Sequence, residues 1–431
     1  MEFNRKNNEL SIEDIYKIYL ENPNITTDSR SPINNSIFFA LKGENFNGNG
    51  FALNALENGA SYSIIDEKEY YIDSRTILVD NVLKTLQNLS NHHRRQFPKL
   101  KLIAITGTNG KTTTKELSYA VLSQNYNCIA TQGNFNNHIG LPLTLLRIRK
   151  DTEIAIIEMG ANHIGEIDEL CRIAQPEYGL ITNIGKAHLE GFLSFENIVK
   201  TKTELFRYLD KKDHYPIINM DDSSLENYSK THRNKAYTYR TKGIFDYDTA
   251  CIEFENNIVN SNLIGHYNNQ NLMAAMTLGS IFSVETSKSI KAINEFYPSN
   301  HRSQIKKTDN NTLILDCYNA NPTSVELAIL EFRNEKNLNK VLCLGAMREL
   351  GKDSKGEHNR IIEIIKEIGF NYVFLVGEEF KETNYHEINN AIWFETSKEL
   401  KKYLVNNPIK ESKILIKGSR TTKMEEIEDA L

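Results

Sequence analysis

Short, nearly continuous apolar runs recur along the chain, and what lies between them changes from one part to the next. In the first 80 residues SIFFAL, YSIID and TILVD alternate with polar loops rich in Asn and Gly, which predicts a small mixed α/β unit. Val82, Leu86 and Leu89 then share one helical face, predicting an amphipathic helix that ends near Pro98. LIAIT, EIAIIEM, YGLIT and YPIINM follow, apolar almost throughout and separated by helical patterns. Such strands are buried on both faces, so a parallel sheet covered by helices is expected. After Tyr297-Pro298 a second series begins, TLILDCY, KVLCLG, YVFLVG and KILIKGS, alternating with helical patterns over 323–334 and 357–368. That is the texture of a doubly wound domain. The polar, Asn-rich stretch 231–262 reads equally as a β-hairpin or as irregular chain.

The predicted fold is α/β in three domains: 1–81, 82–297 around a central parallel sheet, and 298–431. Length agrees, since 431 residues at roughly 150 per domain give about three. Apolar residues at 40 % and charged residues at 25 % exclude collagen-like and wholly disordered chains. With 51 Lys+Arg against 56 Asp+Glu there is no global field for nucleic acid, and none is expected as a partner. The five cysteines are far apart and form no CxxC pair, which points to a reducing compartment rather than a disulfide framework. The first residues, MEFNRKNNEL, lack a signal-peptide core, and no run approaches the ~18 apolar residues of a membrane span. A cytoplasmic monomer without a membrane span is expected.

The strongest local signal is LIAITGTNGKTTTKEL, residues 102–117. An apolar strand runs into Gly107, Thr108, Asn109, Gly110, Lys111, Thr112 and Thr113, and a helix follows. Glycines let backbone N–H groups converge on phosphate oxygens, the helix N-terminus adds a positive dipole, and Lys111 supplies a point charge. Thr112 is placed to offer its hydroxyl to Mg²⁺. Ile105 stands where the standard phosphate loop has its first glycine.

Three strand ends in the same region carry further polar groups. Glu158 closes EIAIIE, Asn183 and His188 follow YGLIT, and Lys202 lies on a predicted helix within ENIVKTKTELF. A carboxylate and an imidazole suit Mg²⁺ ions that bridge nucleotide phosphates. Alone, Glu158 reads as a helix cap, His188 as a structural histidine and Lys202 as a solvated lysine. The remaining histidines, including the His92-His93 pair, read as surface residues. Asn134, Asn136 and Asn137 crowd one loop, Asn268 and Asn271 sit one helical turn apart, and Asp316, Asn319 and Asn321 follow a strand. Amide side chains both donate and accept, which suits a peptide or sugar-amide substrate; Asn-rich turns are the plain alternative.

Taken in order, TTDSR, ALKGENFNGNGF, TGTNGKTTTKE, GNFNNHIGLPLTLL, EMGANHIGEI, TNIGKAHLEGF, TKTELF, NMDD, NNQNLMAA, DCYNANPTS, GAMRELG and KGSR resemble the Mur ligases. The resemblance covers nearly the full length. DCYNANPTS, GNFNNHIGLPLTLL and GAMRELG resemble the branch that adds D-alanyl-D-alanine, whereas the Asp-Asn-Pro-Arg of the tripeptide-forming branch is absent. So is the Asp-Gly-Ala-His-Asn-Pro of folylpolyglutamate synthases.

The resemblance implies an N-terminal domain holding the UDP end of the substrate, a central P-loop ATPase and a C-terminal Rossmann-like domain. It implies ATP and two Mg²⁺ ions, with Lys111 on the phosphates and Thr112 and Glu158 on one metal. His188 and a carbamylated Lys202 would hold the second. Asn268 and Asn271 would meet adenine, Asp316 the ribose, Arg302 the phosphates, and Ser29 and Arg30 the uridine nucleotide. The Asn-rich loops, with Asn183, Asn319 and Asn321, would face substrate; Lys417, Ser419 and Arg420 read as acceptor contacts or as a solvated turn. Two positions depart from the family pattern: Tyr267 replaces its usual His before Asn268, and Asn47-Gly48 its Asp-Gly.

The implied reaction joins UDP-N-acetylmuramoyl-tripeptide to D-alanyl-D-alanine through an acyl phosphate, with release of ADP. A ligase adding a single amino acid and a nucleotide-gated scaffold are the competing readings.

Overall fold

The structure, a computed structural model, describes residues 10–30, 34–230, 235–244, 249–298, 302–333 and 339–431. By packing, the chain divides into two units: residues 1–104, 126–160 and 166–178 form the first, and residues 105–125, 161–165 and 179–431 the second.

In the first unit, β1 (Asn24–Thr26), β2 (Ser36–Phe39), β3 (Ala60–Ile65) and β4 (Thr76–Leu78) form an all-parallel sheet in the order β1-β2-β3-β4. The predicted amphipathic helix is Val82–Arg95, capped by Asn81, whose Oδ1 accepts from Lys84 N at 2.8 Å. Val82, Leu86 and Leu89 enter one core with Ile15, Ile18, Ile37, Phe39, Ile64 and Leu146. Each buried aliphatic contributes about 1.5–3 kcal/mol, so this helix is held by the N-terminal α/β core. β5 (Lys101–Thr106), β6 (Cys128–Ala130) and β7 (Ile154–Glu158) complete the unit, with β6 parallel to β7.

His93 corrects the surface reading. It is buried, its Nε2 lies 3.0 Å from the Ile148 carbonyl, and its Nδ1 is 3.1 Å from the Tyr16 hydroxyl. Burial pushes its pKa down to about 4.

In the second unit, β8 (Tyr178–Ile181), β9 (Tyr215–Asn219) and β10 (Tyr237–Tyr239) lie side by side in the order β10-β9-β8. Within the Asn-rich stretch, β11 (Thr249–Phe254) and β12 (Asn257–Ile264) form an antiparallel hairpin. Its turn residues, Glu255 and Asn256, both have left-handed φ (49° and 60°), as a tight hairpin demands. Residues 231–234 and 245–248 of that stretch lie outside the described residues.

The C-terminal sheet runs β13-β14-β18-β15-β16-β17, from β13 (Gln304–Lys307), β14 (Asn311–Asp316), β15 (Asn339–Gly345), β16 (Tyr372–Val376), β17 (Ala391–Phe394) and β18 (Ser412–Lys417). β13 alone is antiparallel to its neighbour. Along β15, Leu342 and Leu344 enter one core and Val341 and Cys343 the opposite one. Both faces are covered, which is why the strand reads as an unbroken apolar run. Among the described residues no helix is long and apolar enough to cross a membrane.

Candidate active site

At the start of the second unit, Ile105 and Thr106 lead into a loop that cannot carry side chains at two points. Gly107 has φ 141°, and a Cβ there would stand 2.0 Å from Thr182 Oγ1. Gly110 has φ 77°, and its Cβ would meet Asn271 Oδ1 at 2.3 Å. Both positions require glycine. Helix Lys111–Leu122 starts at Gly110, which offers no capping side chain, so an anion is the natural acceptor for its first-turn N–H groups. Lys111 curls back over the loop and donates to the Gly107 and Thr108 carbonyls, each at 2.8 Å.

The residues after β8 clamp this loop. Thr108 N donates to Asn183 O at 2.9 Å, Asn109 N to Asn183 Oδ1 at 3.0 Å, and Asn183 Nδ2 to Asn109 O at 3.1 Å. Thr182 Oγ1 donates to Asn109 O at 2.6 Å, and Gly185 N to Thr108 Oγ1 at 2.9 Å. Asn183, read from sequence as facing substrate, is placed here as a brace of the phosphate loop.

Asn268 and Asn271 are buried under the same loop. Asn271 Nδ2 donates to Asn268 Oδ1 at 2.8 Å, and Thr114 Oγ1 donates to Asn271 Oδ1 at 3.0 Å. Their amides support the loop from below through the helix Asn269–Ile281. Tyr267 lies beside them in the sequence, its hydroxyl 2.8 Å from Ser303 Oγ.

The C-terminal segment comes to the loop through DCYNANPTS. Asn321 caps helix Pro322–Arg333, accepting from Ser324 N at 2.9 Å, while its Nδ2 donates to Asn109 Oδ1 at 2.8 Å. Asp316 ends β14 opposite Lys417 in β18, and the two form an ion pair; Lys417 is only 2 % exposed. Arg302 lies over the Tyr318 ring at 3.7 Å, and Arg420 faces the same ring at 5.7 Å. Asn319 Oδ1 turns back to Ala320 N at 2.9 Å.

His188 and Lys202 meet at one ring. Phe192 lies 6.4 Å from the His188 ring and 5.6 Å from Lys202 Nζ, and that ammonium donates to Ala161 O at 3.5 Å. Lys202 is 3 % exposed, so it is not the solvated helix lysine that its sequence context allows.

The first unit carries the other candidates. Glu158 ends β7, buried, with its N–H on Thr131 Oγ1 at 2.9 Å and its Oε1 accepting from Asn136 Nδ2 at 2.8 Å. Asn137 Oδ1 accepts from Ile139 N at 3.1 Å and Gly140 N at 2.9 Å, and Asn134 is exposed. Ser29 is buried, and Arg30 is exposed and paired with Asp28 at 2.8 Å. Asn47 Nδ2 donates to Glu67 Oε2 at 2.8 Å; an aspartate at 47 would set two carboxylates against each other there.

Among the described residues no group of three or more His, Cys, Asp or Glu side chains is arranged to hold a metal. The candidate donors named from sequence, Thr112, Glu158 and His188, are a hydroxyl, a carboxylate and an imidazole, a set that suits an ion whose remaining positions are filled by phosphate oxygens and water.

Sequence reasoning misses Thr182, Gly185, Glu349 and the pair Lys186–Glu357, whose atoms are 2.7 Å apart. Lys186 lies inside TNIGKAHLEGF and Glu349 inside GAMRELG, so the motifs are visible but their mutual contacts are not.

Residues 105–279 match the Mur ligase middle domain, and residues 301–420 the Mur ligase, glutamate ligase domain. The UDP-N-acetylmuramoyl-tripeptide–D-alanyl-D-alanine ligase of Bacillus subtilis is 34 % identical, over 94 % of this chain and 92 % of its own. A crystal structure of MurF from Acinetobacter baumannii superimposes with a TM-score of 0.85 at 29 % identity, covering 94 % of this chain and 92 % of that one. MurF from Thermotoga maritima, solved with ADP, gives 0.82 at 26 % identity over 95 % and 97 %. With its phosphate loop, both matched domains and this full-length likeness, the chain belongs to the Mur ligases.

Proposed function

We propose that the protein joins D-alanyl-D-alanine to UDP-N-acetylmuramoyl-tripeptide at the expense of ATP, forming the pentapeptide precursor of bacterial peptidoglycan. The observation that carries this reading is the likeness to ligases of that name over 94 % of the chain. The tripeptide's terminal carboxylate attacks the γ-phosphorus, the bond to the β-phosphate oxygen breaks, and ADP leaves. The amine of D-alanyl-D-alanine then adds to the acyl carbon, and the tetrahedral intermediate expels phosphate and loses a proton. Such phosphoryl transfer depends on positioning and charge neutralisation more than on covalent help.

Each residue has a part that follows from its chemistry. Lys111 and the first turn of its helix hold the nucleotide phosphates, and Arg302 adds a cation from the C-terminal segment. Asp316, held by Lys417, accepts from the ribose. Asn268 and Asn271 fix the loop and the adenine side of the site. Thr112, Glu158 and His188 would hold the Mg²⁺ ions, which would supply charge neutralisation for the transferring phosphoryl group. Ser29 and Arg30 bind the uridine nucleotide, and the loop of Asn134, Asn136 and Asn137 meets the peptide, as do Asn319 and Asn321. The cytoplasm supplies ATP and keeps the five buried cysteines reduced.

Lys202 acts as a carbamate. Its amine adds to CO₂ with loss of a proton, and the product offers anionic oxygens that Mg²⁺ prefers. The burial of Lys202 supports this, because a buried lysine has lost the solvation an ordinary ammonium keeps. With ¹³C-bicarbonate, a carbamate resonance is expected in the wild type and not in Lys202→Ala; its absence from both would leave Lys202 an ordinary amine.

A substrate panel tests the reaction as a whole. ADP release should require the UDP-muramoyl tripeptide and D-alanyl-D-alanine together. Equal turnover with single amino acids would make this a ligase of the other kind, and ADP release without an acceptor would make it a slow ATPase.

A further inference from the structure

Glu349, in the loop after β15, brings its carboxylate onto His188 Nδ1. Both residues have left-handed backbones, φ 62° for Glu349 and 50° for His188. Such conformations are strained in non-glycine residues and persist only where the surroundings hold them. Here the surroundings do hold them. Glu190 N donates to the Glu349 carbonyl at 3.2 Å, and Ala346 N donates to Val376 O at 2.8 Å. Met347 N donates to the Nε2 of buried His358, whose Nδ1 lies 2.8 Å from Ser354 O. The loop is therefore fixed on its own sheet while it reaches the segment that carries His188. Lys186 in that segment also pairs with Glu357 at 2.7 Å, and its N–H donates to Thr323 Oγ1 at 3.2 Å.

His188 Nδ1 is buried and, among the described residues, meets no partner except this carboxylate. A carboxylate only accepts, so Nδ1 carries a proton, and in the neutral ring the lone pair is left on Nε2. An imidazole that ligates a metal is held in this way, through the nitrogen that does not touch the ion.

We propose that Glu349 is a positioning residue: it fixes His188 as the Nδ1–H tautomer, leaving Nε2 to bind a divalent cation, so that the cation site is complete only while the C-terminal loop is docked. This rests on the reading of His188 as a metal ligand. It makes loop docking and metal binding one event, because the acceptor for Nδ1 lies 161 residues away from His188 on another sheet. The Glu349 side chain is 56 % exposed, so its removal takes little packing from the fold.

The test uses Mn²⁺ as the probe, with a non-hydrolysable ATP analogue, read by electron paramagnetic resonance on the full-length protein. Glu349→Ala should weaken Mn²⁺ about 10–100-fold, the range for loss of such a supporting carboxylate. His188→Ala should weaken the same class of bound Mn²⁺, and the double variant should be no worse than His188→Ala. Nitrogen-15 spectra of histidine-labelled protein, assigned with His188→Ala, should show His188 as Nδ1–H in the wild type and shifted toward Nε2–H in Glu349→Ala. Wild-type Mn²⁺ affinity in Glu349→Ala with loss in His188→Ala would overturn the role of Glu349 and leave His188 a ligand. Wild-type affinity in His188→Ala would overturn the ligand reading itself. Additive losses, or an unchanged tautomer in Glu349→Ala, would also overturn the proposal.

Discussion

Asn321 Nδ2 donates to Asn109 Oδ1 at 2.8 Å, joining the C-terminal segment to the phosphate loop across 212 positions of sequence. The same side chain caps helix Pro322–Arg333 through Oδ1. Two jobs on one amide can be separated by substitution. Aspartate is as good an N-cap as asparagine but cannot donate, so Asn321→Asp should unfold within about 0.5 kcal/mol of the wild type. Facing Asn109 Oδ1 with a second acceptor should cost about 1–3 kcal/mol of the assembled site, or roughly a tenfold or greater fall in ADP release. Turnover above half of wild type would show that the clasp is dispensable.

Lys111 donates to two loop carbonyls, at 2.8 Å each, rather than standing free in solvent. Lys111→Ala removes these two bonds, a loss of about 1–2 kcal/mol that a 431-residue chain tolerates. ADP release, in contrast, should fall by at least about 10²–10³-fold, the scale of a lost charge on the transferring group. Circular dichroism and a thermal melt alongside the assay separate the two effects. A folded variant with near-normal ligation would remove Lys111 from the phosphate site.

The local part of the structure is legible in the sequence. The strand–loop–helix order around Gly107 and Lys111, the helix from Val82 and the two-sided strands all follow from periodicity and from residues whose conformational needs are unusual. The long-range pairings are illegible, because nothing in TNIGKAHLEGF says that its neighbour is GAMRELG. His93 misleads for a similar reason. Its burial depends on Tyr16 and Ile148, 77 and 55 residues away, while its immediate neighbours are polar. Asn183 and Asn271 look like ligand-facing amides in sequence, and only the packing assigns the hydrogen bonds of Asn183 to the loop and those of Asn271 to Asn268 and Thr114.

Gly107 gives a test of the loop's geometry that does not depend on charge. Gly107→Ala puts a methyl 2.0 Å from Thr182 Oγ1 at a φ of 141°, where L-residues are strained. Either Thr182 gives up its bond to Asn109 O, or the loop leaves its place. Nucleotide affinity should drop at least about tenfold, and stability by about 1–3 kcal/mol. Trimming Thr182 as well, in Gly107→Ala/Thr182→Ala, should recover part of the stability but not the affinity, since φ remains wrong. Calorimetry with ADP and denaturant unfolding read the two quantities; unchanged ADP affinity in Gly107→Ala would show that the loop backbone does not contact phosphate.

His93 sets an acid limit on the first unit. Its Nε2–H donates to Ile148 O, Nδ1 accepts from Tyr16, and burial lowers its pKa from 6.5 to about 4. The folded state therefore binds this proton less readily than the unfolded chain. The stability it contributes is complete above about pH 6.5, falls as the pH drops toward 4, and levels off below that. Between pH 7.5 and 5 the loss should be about 2 kcal/mol, since each tenfold difference in proton affinity between the folded and unfolded chain is worth about 1.4 kcal/mol. Carboxylates paired in the folded state titrate mainly below this window, which leaves histidine as the dominant group there. His358, also buried and shifted down, adds a change of the same sign in the second unit. The two are distinguished by His93→Gln, which loses hydrogen bonds at every pH yet cannot titrate. Its urea midpoint should start lower than wild type at pH 7.5 and fall less on going to pH 5. Parallel curves for His93→Gln and wild type across that interval would mean that His93 is already solvated in the folded protein.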